Sequence, residues 1–164
     1  MGDDSTLAAV LGQLLTSRQW QITTAESCTG GGIASVITSV AGSSAWFEQG
    51  FITYSNGAKQ QQLNVDNTLL IEHGAVSEAV VRAMAEGACR KANANVGIAV
   101  SGIAGPGGGL PDKPVGTVWL AWAIQDVATI TKCYQFKGER DAVRVQAVTA
   151  AISELNKVLN KNTV

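Results

Sequence analysis

The sequence has 164 residues, of which 46% are hydrophobic and 15% charged, with a formal net charge of −1. A chain of this length can bury a substantial apolar core, and we expect a single domain over residues 1–164. The absence of a basic cluster argues against a nucleic-acid groove. No apolar run is long enough to cross a bilayer, so we expect neither nucleic acid nor membrane as a partner.

The cysteines and the histidine limit the kinds of site that the chain can form. The sequence has three cysteines, Cys28, Cys89 and Cys133. Their odd number, wide separation and lack of metal-ligand spacing predict reduced thiols in a cytoplasmic protein. The acidic N-terminus lacks the features of a signal peptide. His73 is the only histidine, and no acidic cluster has metal-binding spacing. We therefore predict metal-independent chemistry without a cofactor.

Apolar spacing and turn residues predict the following elements in the first half of the chain. They are a helix over about residues 5–18 capped by Ser5 or Thr6, a strand over 19–26, a helix over about 30–40, a strand over 46–54, a short helix beginning near Lys59 and a helical turn over 67–73.

The second half contains a long helix, a buried strand and a hairpin before the last helix. These elements are a helix over 77–92, a strand over 95–101, a hairpin of strands 116–124 and 128–136, and a helix beginning within 138–141, with a fraying tail at 160–164. Early alternation of strands and helices followed by a hairpin predicts an α/β fold, a three-layer α/β/α domain with a mixed, mostly parallel sheet.

Three loops directly follow predicted strands, at residues 26–32, 54–59 and 101–109. Ligands of open α/β sheets bind outside the carboxyl ends of the strands. If these strands are parallel, the loops share one edge. We then expect four polar side chains to lie close together there: Ser27, Tyr54, Lys59 and Ser101.

Residues 24–32 read TAESCTGGG, a turn of small and hydroxylated residues between a strand and a helix. Its glycines let a ligand approach the backbone, and its N–H groups suit a developing oxyanion. We expect Thr29, Gly30 and Gly31 to bind substrate. A flexible turn with a threonine cap is the alternative interpretation.

A hydroxyl nucleophile such as Ser27 needs a base. His73 ends a predicted helix, where a capping role is favoured. Lys59 can be the base if burial lowers its pKa, although its spacing alone also fits an ordinary surface lysine. Tyr54 can relay a proton or hold the lysine, or simply pack at a strand end.

Cys28 is the rival nucleophile, or a small buried apolar residue. Because adjacent side chains after a strand point apart, we expect only one of Ser27 and Cys28 to face the site. Ser44 can donate a hydrogen bond to the site or cap the next element.

The glycine loop at 102–109 fits neither a Walker A motif nor a dinucleotide fingerprint. It can form an anion cradle or a mobile surface loop. Arg140, in the first turn of the last helix, can bind a phosphate together with helix N–H groups. The alternative is an exposed arginine paired to Glu139 or Asp141.

Six motifs in order, covering about residues 5–160, resemble the C-terminal domain of CinA, the competence/damage-inducible protein. They are TAESCTGG at 24–31, AGSSAWF at 41–47, TYSN at 53–56, HGAVS at 73–77, SGIAGP at 101–106 and KPVGTV at 113–118. The molybdopterin-binding-like domain of full CinA has no counterpart, so the chain looks like the stand-alone form, a nicotinamide-nucleotide amidase.

This resemblance implies hydrolysis of the carboxamide of nicotinamide mononucleotide to nicotinate mononucleotide and ammonia, in pyridine nucleotide recycling. It implies Ser27 as nucleophile, Lys59 as base, Tyr54 as its helper and Ser44 as a supporting hydroxyl. For the substrate's 5′-phosphate we expect a clamp of Arg140, Ser101 and Gly102.

The resemblance also implies a homodimer or larger assembly. Two other functions stay open: a non-catalytic nucleotide-binding module, and an amidase that uses Cys28.

Overall fold

The computed structural model describes residues 2–161. In this range the chain forms six α-helices, five strands and one 3-10 helix at Ser43–Ala45. The helices are α1 (Gly2–Arg18), α2 (Gly32–Thr38), α3 (Asn56–Leu63), α4 (Asn67–His73), α5 (Glu78–Ala92) and α6 (Arg140–Lys161). The strands are β1 (Ile22–Glu26), β2 (Phe51–Ile52), β3 (Val96–Gly102), β4 (Thr117–Ile124) and β5 (Ile130–Gln135).

The strands form one mixed sheet in the order β2-β1-β3-β4-β5. The first three of these are mutually parallel, whereas β4 and β5 pair antiparallel. Glu26 at the end of β1 lies opposite Ile52 on one side and Val100 on the other. The carboxyl ends of the parallel strands therefore meet at one edge, and the predicted sharing of that edge by three loops is confirmed.

Helices cover both faces of the sheet, which confirms the three-layer α/β/α prediction. On one face, α1, α2 and α6 bury a cluster that includes Ile22, Ile98 and Trp122. On the other, α3, α4 and α5 pack on a cluster that contains small strand residues such as Ala25 and Ala99. Small side chains in the strands let α5 approach the sheet closely.

The second strand is much shorter than predicted, because only Phe51–Ile52 of the range 46–54 forms a strand, and Phe47 contributes no more than an isolated parallel bridge to Ile22. Trp46 is instead a core residue, 5% exposed, and its carbonyl accepts a hydrogen bond from the Ile22 N–H at 2.8 Å. The aromatic and β-branched composition of this segment therefore reflects core packing as well as its short pairing with β1.

Four predicted boundaries are also wrong. Helix α1 already includes Ser5 and Thr6, so neither is its cap, and β1 begins at Ile22 because Gln19 takes a left-handed conformation at the helix end, with φ 57°. Helix α2 is shorter than residues 30–40. Helix α6 contains residues 160–161 of the predicted fraying tail, and residues 162–164 lie outside the described range. Within residues 2–161 no helix is long and apolar enough to span a membrane.

Candidate active site

Ser27 and Lys59 form the centre of the site. Ser27 follows β1 directly, and its side chain lies on the same face of the sheet as that of Ala25, where α3 packs. The Lys59 Nζ atom donates to the Ser27 Oγ atom at 3.0 Å. Lys59 is only 1% exposed and Ser27 only 8%, so this contact between an amine and a hydroxyl is shielded from bulk water.

Two backbone carbonyls hold the Lys59 amine. Nζ donates to the Thr53 oxygen at 2.8 Å and approaches the Tyr54 oxygen at 3.5 Å. No carboxylate of the described residues lies within 4.0 Å of it. Burial lowers the pKa of Lys59 below its ordinary value because the charged form is desolvated. A neutral amine can donate to both carbonyls and still offer its lone pair to Ser27.

The local sequence explains how Lys59 reaches this position. Ser55 caps α3, and its Oγ atom accepts a hydrogen bond from the Ala58 N–H at 3.0 Å. The helix therefore begins soon after β2, at Asn56, and Lys59 lies in its first turn, facing the strand ends. The sequence alone could not separate this buried lysine from a surface one.

Ser101 lies beside Ser27. The Ser27 N–H donates to the Val100 oxygen at 3.0 Å, which extends the parallel pairing of β1 and β3 by one residue. Ser27 is thereby opposite Ser101, which is 1% exposed. Gly102 has a structural reason to be glycine, since an added Cβ would lie 2.6 Å from the Val118 Cγ2 atom.

The turn after Ser27 requires glycine and leaves three amides available. Gly30 and Gly31 have φ values of 57° and 102°, in the left-handed region that other residues rarely adopt. The Gly30 N–H is not available to substrate, because it donates to the Ser27 oxygen at 3.1 Å. The Cys28, Thr29 and Gly31 N–H groups donate to no other residue of the described chain, which suits an oxyanion.

Glu26 supports this turn, although the sequence did not single it out as a site residue. Its carboxylate is fully buried on the opposite face of the sheet from Ser27. It accepts hydrogen bonds from Thr29 Oγ1 at 2.5 Å, from Ile33 N–H at 2.9 Å and from Ala34 N–H at 3.0 Å. The signal available was a charged residue at the end of a strand that is otherwise buried.

Arg144 was missed entirely. Its Nε atom donates to the Cys28 oxygen at 3.1 Å, and its Nη2 atom donates to the Thr29 oxygen at 3.3 Å. It lies one turn after Arg140 in α6, and this spacing of four places both arginines on neighbouring parts of one helix face. That spacing was the only sequence signal for it.

Cys28 does not share the environment of Ser27. It is 7% exposed and packs in the apolar cluster beneath α2 and α6, so the adjacent side chains point apart as expected. Burial raises the pKa of the Cys28 thiol to about 11, which keeps it protonated and weakly nucleophilic near neutral pH. His73 is the last residue of α4, where a helix C-terminus was predicted.

The Tyr54 side chain points to Arg140 rather than to Lys59. Its hydroxyl accepts from the Arg140 Nη2 atom at 3.0 Å, and the Arg140 Nη1 atom donates to the Gly105 oxygen at 2.8 Å. The expectation that the Tyr54 hydroxyl holds Lys59 is therefore corrected, because only its backbone carbonyl is near the amine. Arg140 begins α6 and forms no ion pair with Glu139 or Asp141.

A cavity of about 420 Å³ adjoins this arginine. It is lined by Ala104, Pro106, Val115, Gly138, Glu139 and Arg140. It therefore lies between the glycine loop after β3 and the start of α6, where the phosphate clamp was expected.

Ser44 is not part of this cluster in the chain. It lies exposed on the 3-10 helix, whose Ala45 oxygen accepts from the Gln21 side chain just before β1. Because α2 carries the chain back along β1, Ser44 returns to the amino end of the strand. Ser27 follows the carboxyl end of the same strand. The five residues of β1 separate its two ends by about 16 Å. Within the described chain, Ser44 therefore lies away from Ser27 and Lys59, and the expectation that its hydroxyl supports them is not met.

Within residues 2–161, no three side chains of the types that bind metals are grouped closely enough to hold an ion. The fold and the site together define an α/β protein with a buried serine–lysine pair at the carboxyl edge of three parallel strands. Sequence comparison gives the family: the CinA C-terminal domain model matches residues 4–159. The chain belongs to the CinA C-terminal domain family.

Two amidohydrolases are similar to almost the whole chain. The nicotinamide-nucleotide amidohydrolase PncC of Escherichia coli K12 is 53% identical over 157 residues, which are 96% of this chain and 95% of that protein. The protein of the same name from Pseudomonas putida is 54% identical over 92% of this chain and 94% of its own.

Solved structures of the family have the same fold. The competence/damage inducible protein CihA from Agrobacterium tumefaciens superposes with a TM-score of 0.93 at 40% identity, covering 98% of this chain and 97% of that chain. The competence damage-inducible protein A from Klebsiella pneumoniae gives a TM-score of 0.92 at 41% identity, covering 96% and 97%.

Proposed function

We propose that this protein hydrolyses the carboxamide of nicotinamide mononucleotide to nicotinate mononucleotide and ammonia, with Ser27 as nucleophile and Lys59 as base, in pyridine nucleotide recycling. One observation carries the mechanism: a desolvated lysine amine lies 3.0 Å from a serine hydroxyl at the carboxyl edge of the sheet. The names of the full-length relatives support the substrate.

In the first step, the neutral Lys59 amine takes the proton of the Ser27 hydroxyl, and Oγ attacks the carboxamide carbon. The C=O bond becomes a single C–O⁻ bond, and the Thr29 and Gly31 N–H groups stabilise this oxyanion. Loss of one such donor typically costs about 3 kcal/mol of the barrier. The chain's own amides thus supply the charge stabilisation.

In the second step, the Lys59 ammonium gives its proton to the nitrogen of the departing amide, and ammonia leaves. Ser27 then carries the nicotinoyl group as an ester. Lys59, neutral again, takes a proton from a water molecule that attacks this ester. The product is the carboxylic acid, and the lysine returns its proton to Ser27.

Arg140 is proposed to bind the 5′-phosphate at the cavity beside the glycine loop, with Ser101 and Gly102 in the adjoining strand end. The Arg140→Ala variant should raise KM for the mononucleotide at least tenfold. Its turnover of nicotinamide riboside, which lacks the phosphate, should match that of the wild type. Equal KM values of wild type and variant for the mononucleotide would rule out this clamp.

The function is tested by ammonia release from nicotinamide mononucleotide in the presence of EDTA, with the wild type and Ser27→Ala. Release that survives EDTA and is lost in Ser27→Ala is expected. A folded wild type that binds the mononucleotide in calorimetry but releases no ammonia would instead be a nucleotide-binding module. Release that persists in Ser27→Ala would exclude Ser27 as the nucleophile.

The family resemblance also leads us to propose a cytoplasmic homo-oligomer. Sedimentation velocity at micromolar concentration should give a mass of at least two chains, and a monomer would contradict this.

A further inference from the structure

The peptide group between Cys28 and Thr29 is held from the side of the sheet opposite to Lys59. Arg144, on α6, donates to the carbonyl oxygens of Cys28 and Thr29 through two nitrogens of one guanidinium. Helix α6 packs on the face that contains Ile22, whereas α3 packs on the face of Ala25. Arg144 and Lys59 therefore approach the turn from opposite sides.

The orientation of the Thr29 amide follows from this contact. The Cys28–Thr29 peptide is trans, because within residues 2–161 only Gly105–Pro106 is cis. In a trans peptide the C=O and N–H bonds point in opposite directions. Since the Cys28 oxygen faces Arg144, the Thr29 N–H faces away from α6, toward the side on which Lys59 contacts Ser27.

We propose that Arg144 is a positioning residue that aims the Thr29 N–H at the oxyanion formed on Ser27. This inference rests on the proposed amidase function and adds to it a residue that acts through the backbone. A planar guanidinium with two donors fixes two carbonyls at once, which a flexible point charge does not do.

Other contacts of Thr29 agree with this role. Its hydroxyl donates to the buried Glu26 carboxylate and its carbonyl accepts from Arg144, so side chain and carbonyl are both fixed. Of the polar groups of Thr29 itself, only the N–H has no partner among the described residues. Hydrogen bonds therefore hold the hydroxyl and the carbonyl of Thr29 in place and leave its N–H available to the oxyanion.

The test compares Arg144→Gln and Arg144→Lys with Arg18→Gln as a matched control. Arg18 also uses its guanidinium on backbone carbonyls, those of Leu14 at 2.9 Å and Leu159 at 2.6 Å, but at the far ends of α1 and α6. We expect Arg144→Gln to lower kcat about 10- to 100-fold, since a misaimed donor loses part of its effect, with KM within about twofold. Arg144→Lys should recover part of kcat, and Arg18→Gln should keep it while losing a similar amount of Tm.

Three kinetic outcomes would overturn the proposal. They are an unchanged kcat in Arg144→Gln, an equal loss of kcat in Arg18→Gln, or a rise in KM without a change in kcat, which would make Arg144 a substrate-binding residue.

A second readout does not depend on amide hydrolysis. A fluorophosphonate forms a tetrahedral adduct on a reactive serine, and its rate of attachment to Ser27 can be followed by intact mass. Slower attachment in Arg144→Gln than in Arg18→Gln supports the proposal even if the wild type releases no ammonia, in which case only the proposed function fails. Equal rates in the two variants, or no attachment to the wild type, would overturn the proposal.

Discussion

The two sides of the sheet at the end of β1 each bury one ionisable side chain, and the two are held in opposite ways. On the α3 side, Lys59 is 1% exposed and donates to backbone carbonyls. On the α2 side, Glu26 is fully buried and accepts from backbone N–H groups and from Thr29. Neither charge has an ion-pair partner within the described residues.

The difference lies in what else each group contacts. Lys59 also contacts the Ser27 hydroxyl, which can lose a proton to it, and burial lowers the pKa of the lysine. Glu26 contacts only the turn and the start of α2, so its bonds hold backbone in place. A buried ionisable group can thus take part in proton transfer where it contacts a hydroxyl, as Lys59 does. Where every neighbour donates a hydrogen bond to it, as around Glu26, the buried group stabilises the local backbone.

The sharpest way to break this comparison is to mutate the two neighbours Ser27 and Cys28 separately. Ser27→Ala should lower kcat by at least about 1,000-fold, because the covalent step is lost. Cys28→Ala should keep kcat within about tenfold, since a protonated thiol in the core takes no part. The rate of ammonia release gives kcat for both variants. A larger loss of kcat in Cys28→Ala than in Ser27→Ala would make Cys28 the nucleophile and contradict this account.

Removal of the lysine amine should separate activity from stability. Lys59→Met keeps an unbranched side chain, one atom shorter and without the amine, and should lower kcat about 100- to 10,000-fold, the usual contribution of a general base. Its Tm should be equal to or higher than that of the wild type, because a desolvated amine, which is costly to bury, is replaced by an apolar group. Thermal unfolding and ammonia release on the same preparation test this, and a strongly lowered Tm would indicate a structural lysine.

Much of this arrangement was predictable from the sequence, because apolar strands that end in turn residues place those turns at one edge. Burial was not predictable: the segment around Lys59 reads equally as a surface helix. Ser44 was misplaced because a motif shows which residues matter but not at which end of a strand they lie. Arg144 was missed because its contact with Cys28 joins residues 116 positions apart.

The Glu26 side is tested through its hydroxyl partner. Thr29→Val should lose about 1.5–3 kcal/mol of unfolding free energy, the range for a hydrogen bond to a charged group, whereas Thr29→Ser keeps the bond. Thr24→Val is the matched control, because the buried Thr24 Oγ1 has no hydrogen-bond partner in the described chain. Urea unfolding measures all three, and equal losses in the two valine variants would deny Glu26 a supporting role.

The packing that positions α3 should be sensitive to one methyl group. A Cβ on Gly87 of α5 would lie 2.2 Å from the backbone oxygen of Leu63 at the end of α3. Gly87→Ala should therefore cost about 1–3 kcal/mol of stability through overpacking, and should lower kcat by shifting Lys59. Gly107→Ala, where an added Cβ meets no atom within 4 Å, is the control. A fully stable and active Gly87→Ala protein would contradict this packing.

The pH dependence of stability should carry a small contribution from Lys59. Its pKa is lower in the folded state than in the unfolded state, so between these two values the unfolded chain binds more protons. Stability from this group therefore rises with pH from the folded pKa up to about 10.5, its ordinary value. The difference in unfolding free energy between Lys59→Met and wild type, measured from pH 7 to 10, should shrink. A constant difference would show that the pKa is not lowered.

The most direct test of the central claim is the rate of fluorophosphonate attachment to Ser27 against pH, in the wild type and in Lys59→Met. If neutral Lys59 is the base, the wild-type rate rises with pH through a single pKa below 10.5, the ordinary lysine value, and this rise disappears in Lys59→Met. A wild-type rate independent of pH, or the same rise in Lys59→Met, would contradict the serine–lysine account.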